Sequence, residues 1–261
     1  MTGFIRRRRY CNCINKNQMK NKNLLKIKYS KSYKSSNEIV SQYNKYGWVN
    51  IKNAFSKIEM KKIENDLDNL SKSFCNLKFQ DAIIKLHKKD KDKLYKLCTT
   101  AGKITSHLML IKKFDDICKK IFKSKTSINL GQFILPGPPK DKRLVYNFHQ
   151  ENNYYLDHKD TLHFHFPLYN NANLENGAMS ALSKTHKINR IKKNHFIKEK
   201  KGFLSIIPKN IDKLINSYEQ VIFELKIRDL LIFDGNLIHK SNPNKSKKCR
   251  VVGITRLAPK Y

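Results

Sequence analysis

Tyr146-Asn-Phe-His149-Gln-Glu151 lies in a neighbourhood that reads as strand rather than helix. On a strand, alternate side chains share a face, so the His149 imidazole and the Glu151 carboxylate are expected to converge on one point. A second anchor lies ninety residues beyond His149, in Leu231-Ile-Phe-Asp-Gly-Asn-Leu-Ile-His239-Lys-Ser241-Asn-Pro-Asn-Lys-Ser-Lys-Lys-Cys-Arg250. Two histidines and one carboxylate can hold a metal on one face and leave three of its positions open. Arg250, eleven residues past His239, offers a planar guanidinium that suits a carboxylate ligand bidentately. Either histidine alone reads equally well as a satisfied core side chain, and a His-x-Glu arises often by chance. The pairing of the two stretches is what favours the metal reading.

The chain is 261 residues long and 39% hydrophobic, enough for one domain with an appendage and a sizeable core. Its net charge of +33 raises nucleic acid, a membrane surface or anionic substrates as partners. The excess is nearly all Lys, spread from end to end beside abundant Asn, which reads as drift in codon usage rather than a selected patch. No nucleic-acid recognition module is present. The six cysteines show no framework spacing, so reduced thiols in a cytoplasmic protein are expected. Cys11-Asn-Cys13 lacks the matching second pair that a metal knuckle needs. No apolar run approaches the ~18 residues of a membrane span, and Arg6 to Arg9 are followed by no apolar stretch of a secretory signal.

In chain order, residues 1–36 are basic and aperiodic and are expected to form a disordered tail. A helix is predicted over Asn37 to Gly47 and a strand from Trp48. Ser56-Lys-Ile-Glu59 is a capping box that opens a helix carrying Ile58, Ile63, Leu67 and Leu70. Helical patterning continues from Phe79 to Phe122, with a break expected near Thr99-Thr-Ala-Gly102. His87 and His107 on these helices read as ordinary histidines. From Ser127 onward short strands dominate: Ile128 to Leu135, the His149 stretch, Thr161 to Leu168, Val221 to Leu225, Leu230 to Phe233 and Val251 to Leu257. A turn falls at Pro136-Gly-Pro-Pro139, and residues 186–201 read as a basic loop or helix. Asp229 reads as a turn cap. Helices first and many strands afterwards predict a mainly β fold, a β-barrel or jelly roll with a helical flank over residues 37–125 and a strand core over 126–258.

Residues 40–258 resemble the phytanoyl-CoA dioxygenase family of Fe(II)/2-oxoglutarate oxygenases. Tyr46-Gly-Trp-Val-Asn-Ile-Lys-Asn-Ala-Phe-Ser56 is similar to the family's opening, and Phe148-His-Gln-Glu-Asn-Asn-Tyr154 to its metal strand. Phe166-Pro-Leu168, followed by Glu175-Asn-Gly-Ala-Met-Ser-Ala-Leu-Ser-Lys-Thr-His186, resembles the family's central run. Arg228-Asp-Leu-Leu-Ile-Phe-Asp-Gly-Asn-Leu-Ile-His239 through Ser246 and Arg250 resembles its closing motif. The resemblance implies a double-stranded β-helix, a cupin-like jelly roll, with Fe(II) on His149, Glu151 and His239. It also implies 2-oxoglutarate on Arg250 helped by Ser241, and O2 as the oxidant. The expected reaction is hydroxylation of a C–H bond of a small molecule or lipid.

Four departures from the family pattern stand out. Glu151 replaces the usual Asp, although a carboxylate at this position still argues against a halogenase. A Pro-Gly-Ser-His run has become Ser183-Lys-Thr-His186, Arg228 stands where Gly is usual, and His165 replaces a Trp. Tyr146, Tyr155 and His165 are candidate substrate contacts. His163 and His165 share a strand face, so a second metal is conceivable there. Three other readings stay open: a non-catalytic β-helix binding protein, a cupin-like metalloenzyme that uses no 2-oxoglutarate, and an oxygenase acting on nucleic acid.

Overall fold

Along Leu230–Asp234 the side chains part to two sides, Leu230 and Ile232 into one apolar cluster, Leu231 and Phe233 into another. A strand covered on both faces divides its side chains with this period of two, and the whole molecule is layered around that division. The computed structural model describes residues 25–141, 145–155, 157–188, 190–191, 196–198 and 206–260. The first half runs β1 (Lys26–Tyr29), α1 (Ser36–Tyr46), β2 (Trp48–Ile51), α2 (Lys57–Cys75), α3 (Phe79–Lys89), α4 (Lys91–Ile104) and α5 (Lys112–Phe122). The second half runs β3 (Ser127–Gly137), β4 (Leu162–Leu168), β5 (Ser180–Leu182), β6 (Phe196–Lys198), β7 (Ile206–Pro208), α6 (Ile211–Ser217), β8 (Gln220–Glu224), β9 (Leu230–Asp234), β10 (His239–Lys240) and β11 (Arg250–Pro259).

Five strands form an antiparallel sheet in the order β2-β9-β4-β11-β3. A smaller mixed sheet has the order β1-β8-β5-β10, in which only β1 runs parallel to its neighbour β8. Leu162, Phe164, Phe166 and Leu168 of β4, with Val251 and Leu257 of β11, pack on the helices. Trp48, Leu231 and Phe233 face the smaller sheet through Ala181, Val221 and Phe223. Two facing sheets with helices outside the larger one make the expected double-stranded β-helix. The other face of β4 and β11 therefore points between the sheets, carrying His163, His165, Arg250 and Arg256.

Several local expectations are corrected. The expected disordered tail does not reach residue 36, because Lys26–Tyr29 pairs with β8 and Lys31 bridges Ile51; the rest of that expectation, residues 1–24, lies outside the described residues. Helix α4 runs unbroken through Thr99 to Gly102. A Cβ at Gly102 would lie 2.6 Å from the Gln132 backbone oxygen, so the glycine permits close helix–strand packing instead of ending the helix. Ile58 is 82% exposed, and Met60 takes its place in the core with Ile63 and Leu67. Within the predicted loop or helix over 186–201, Phe196–Lys198 is a strand paired with β7. The capping box at Ser56 and Glu59 forms as expected. Asp229 caps its turn by accepting the Asn53 and Lys226 amides.

Two sequence departures fall at left-handed backbone. Lys184 has φ 71° and Arg228 φ 84°, at the positions where the resembled pattern carries glycine. Arg228 gains a compensating bond from its Nε to the Phe55 carbonyl at 2.9 Å, whereas the Lys184 ammonium makes a distant cation–π contact with Tyr46, 5.8 Å from the ring centroid, and a long-range attraction to Glu219. Left-handed backbone costs a side-chain-bearing residue about 1 kcal/mol. Lys184→Gly is therefore expected to stabilise the fold by up to about 1 kcal/mol, measured by chemical denaturation; a loss of stability would contradict the strain assignment.

Candidate metal centre

His149 and His239, ninety residues apart, are joined by an antiparallel bridge. The His149 amide donates to the His239 carbonyl at 2.9 Å, and the His239 amide donates back at 3.0 Å. A reciprocal pair of this kind directs both side chains to one side, and the imidazole centroids stand 4.3 Å apart. Their tautomers follow from the partners. His149 Nδ1 lies 2.6 Å from the Asn147 carbonyl and His239 Nδ1 lies 2.9 Å from the Leu237 carbonyl. A carbonyl only accepts, so both Nδ1 atoms carry the proton and both Nε2 atoms keep a lone pair for a metal.

The strand expected through Glu151 is corrected. His149 makes only the isolated bridge, and Glu151 opens a single 3-10 turn, Glu151–Asn153. The buried Gln150 fixes this departure, donating to the Asn236 carbonyl at 2.8 Å and accepting the Ile191 amide at 3.0 Å. Asn152 donates its amide to the Gly235 carbonyl at 3.0 Å, and its side chain accepts from the Thr161 hydroxyl. The turn nonetheless brings Glu151 Oε1 to 3.6 Å from His149 Nε2 and 3.7 Å from His239 Nε2. Among the described residues this trio is the group of histidine, cysteine and carboxylate donors gathered closely enough for one ion. Ligand bonds of ~2.0–2.2 Å at right angles put donor atoms ~3 Å apart, so each histidine–carboxylate contact would close by about 0.6–0.7 Å around an ion.

Burial alone would push the Glu151 carboxyl up. Arg256, both ligand histidines and His163 more than offset it and hold the group well below the usual carboxylate range. The carboxylate is thus ready in its charged, ligating form. Burial also lowers the basicity of His239, which keeps its ring neutral. His163 is pushed down to about 3, chiefly by burial, and lies stacked on Phe233. His165, also driven down chiefly by burial, packs edge-on against the same Phe233 ring.

The remaining predicted residues are placed as follows. Arg250 is buried on the inner face of β11, and its Nε has no hydrogen-bond partner. Among the described residues it forms no ion pair, and burial lowers its guanidinium to about 10. Ser241 follows β10 and donates its amide to the Tyr146 carbonyl at 2.9 Å. The Tyr146 ring lies 5.9 Å from that of His149. Tyr155 faces His163 at 6.3 Å between centroids, with the Arg256 guanidinium 5.9 Å above its ring. His163 and His165 do not gather a second metal group among the described residues. His87 is buried in a close pair with Asp141, and His107 Nδ1 contacts the Ile104 carbonyl at 3.0 Å, so neither joins the centre.

Arg256 is the residue that sequence reasoning missed. Its Nε lies 3.7 Å from Glu151 Oε2. The available signal was its spacing: six positions from Arg250 on one strand is an even number, and hence the same face.

Residues 43–252 match the profile of the family described as Phytanoyl-CoA dioxygenase (PhyH). No curated protein matches the chain by sequence. Among solved structures, EctD from S. alaskensis with 2-oxoglutarate and 5-hydroxyectoine is similar at TM-score 0.62 and 14% identity, over 88% of this chain and 79% of that one. AviO1 from Streptomyces viridochromogenes is similar at TM-score 0.57 and 12% identity, over 87% of this chain and 96% of that one. EvdMO1 is similar at TM-score 0.58 and 14% identity over 87% of this chain, which spans only 50% of EvdMO1. At these identities the likeness is one of fold.

A Cβ at Gly235 would overlap Thr161 Oγ1 and Asn152 Oδ1, the contacts that hold the Glu151 turn. Gly235→Ala is expected to cost about 1–3 kcal/mol and to weaken divalent-metal binding, measured by denaturation and by calorimetric titration. Unchanged metal affinity would show that the turn does not set the carboxylate.

Proposed function

The chain belongs to the phytanoyl-CoA dioxygenase family, and from that premise we propose that it is an Fe(II)- and 2-oxoglutarate-dependent dioxygenase hydroxylating a C–H bond. His149, Glu151 and His239 would hold the iron as a facial triad, and Arg250, helped by Ser241, the distal carboxylate of 2-oxoglutarate. The observation that carries this reading is a donor trio with both Nε2 atoms turned toward one carboxylate oxygen, in one interior with a buried guanidinium that has no ion partner among the described residues. A buried cation without a counter-charge is costly, and an anionic co-substrate removes the cost. As a non-catalytic binding module, the protein would carry both features without use for them.

Bound iron would supply oxygen activation coupled to the oxidative decarboxylation of 2-oxoglutarate. The chain's own part is to orient and to exclude water. Carbonyls of Asn147 and Leu237 fix the imidazole planes, and the buried Phe233 closes the floor beneath His239 with ring centroids 4.8 Å apart. Tyr146, Tyr155 and the neutral His165 ring are the substrate contacts in this reading. Counting a divalent metal, a dianionic co-substrate, Glu151 and the two inner arginines leaves one positive charge uncompensated. That balance supports an anionic or carrier-linked small molecule or lipid as substrate. The described residues contain no helix long and apolar enough to cross a membrane.

The reading is tested by anaerobic calorimetry of 2-oxoglutarate binding to Fe(II)-loaded protein, wild type against Arg250→Met. Removal of a buried charge partner is expected to weaken binding at least ~30-fold. The ligand-free variant should be more stable by about 1 kcal/mol, because an unpaired buried cation is gone. Equal binding by the two proteins would overturn the assignment of Arg250.

A further inference from the structure

The Glu151 carboxylate is divided between two partners. Oε1 faces both histidine Nε2 atoms, and Oε2 faces Arg256 Nε at 3.7 Å. Arg256 lies on the inner face of β11, ~20 Å along the strand from Arg250 at ~3.3 Å per residue. Beside it the β3–β11 register skips one residue between Arg256 and Leu257, and such irregularities re-aim side chains at sites. The Arg256 side chain is only 19% exposed, its Nε makes no hydrogen bond, and its guanidinium rests over the Tyr155 ring. Among the described residues its charge therefore has one carboxylate to answer, and that carboxylate is the candidate ligand.

We propose that Arg256 is a positioning residue that holds Glu151 Oε2 off the metal, so that Oε1 alone completes the triad. The proposal rests on the metal reading above and concerns a feature of this chain, the glutamate at a position where the resembled pattern has aspartate. Glutamate has one more torsion than aspartate, so its carboxylate can swing to grip a cation with both oxygens, as flexible carboxylates do. Two-oxygen binding would use up a position that the co-substrate or oxygen needs. With Oε2 drawn toward the guanidinium, the extra methylene only sets reach.

The test is Co(II) binding to the purified full chain without oxygen or co-substrate, followed by calorimetry and by the visible absorption of the bound ion. Wild type, Arg256→Gln, Arg256→Lys, Glu151→Asp and the Glu151→Asp/Arg256→Gln pair are compared. Charge alone favours Co(II) when a nearby cation is removed, so simple electrostatics expects Arg256→Gln to bind more tightly. Positioning expects the opposite. Binding should weaken ~10-fold or more, as for other residues that orient a metal ligand, with an altered spectrum and partial recovery in Arg256→Lys. In the Glu151→Asp background, where the shorter side chain no longer reaches the guanidinium, Arg256→Gln should change affinity less than about threefold.

Tighter or unchanged binding by Arg256→Gln overturns the proposal while leaving the metal site standing. An equal loss in both backgrounds also overturns it, because a general structural role would not depend on residue 151. Absence of Co(II) binding by the folded wild type overturns the metal reading itself, and the positioning role with it.

Discussion

The centre depends on a two-hydrogen-bond bridge between backbones ninety residues apart. Each bond contributes only about 1 kcal/mol net, far too little to close so long a loop unaided. The facing sheets supply the closure: β10 is hydrogen-bonded to β5, β5 to β8, and Phe233 of β9 is buried against the same interior. The bridge then converts sheet formation into chemistry. It fixes two Cα atoms in an antiparallel pair, and flanking carbonyls from Asn147 and Leu237 set both rings by taking the Nδ1 protons. In the proposed metal centre, both imidazoles are thus oriented by backbone groups of their own neighbours.

The carboxylate arm follows a different logic. Glu151 is outside the sheet, on a turn that Gln150, Asn152, Thr161 and Gly235 hold through side-chain and backbone bonds. Its charge is kept by Arg256 and the histidines against a burial that favours the neutral acid. Among the described residues the interior is accordingly unusual in its charges, with two inner-facing arginines on one strand and the Glu151 carboxylate beside Arg256. Among the described residues Arg256 has a counter-charge, and Arg250 does not. That asymmetry is what the proposed roles rest on, Arg256 shaping the site and Arg250 receiving an anionic ligand.

Much of this was legible in the sequence, for identifiable reasons. Strands were expected at Thr161 to Leu168 and Leu230 to Phe233, where β4 and β9 lie, and the capping box at Ser56 announced α2. His149 and His239 were legible because each stands in a motif of the resembled pattern, His149 beside Glu151 and His239 eleven residues before Arg250. Other features depend on contacts between distant segments and left no local trace. Gly102 looks like a helix break until β3 is seen against it. Lys26-Ile-Lys-Tyr29 looks like tail because its lysines hide an alternation that only the edge of β8 makes meaningful. The turn at Glu151 could not be told from a strand, since the residues that bend it are Asn236, Ile191 and Gly235. Arg256 was readable from strand parity alone, yet nothing in its immediate neighbours marks it as a partner of Glu151. Lys184 and Arg228 show the reverse case, where residues atypical for a left-handed backbone conceal that the backbone is left-handed there.

The most direct test of the centre is an anaerobic Fe(II) titration with 2-oxoglutarate present, monitoring the visible metal-to-ligand charge-transfer band. The account predicts a band that saturates at one iron per chain in wild type and is lost in both His149→Ala and His239→Ala while the fold persists. Folded, iron-loaded wild type that shows no such band, or a band that survives in either histidine variant, would contradict it.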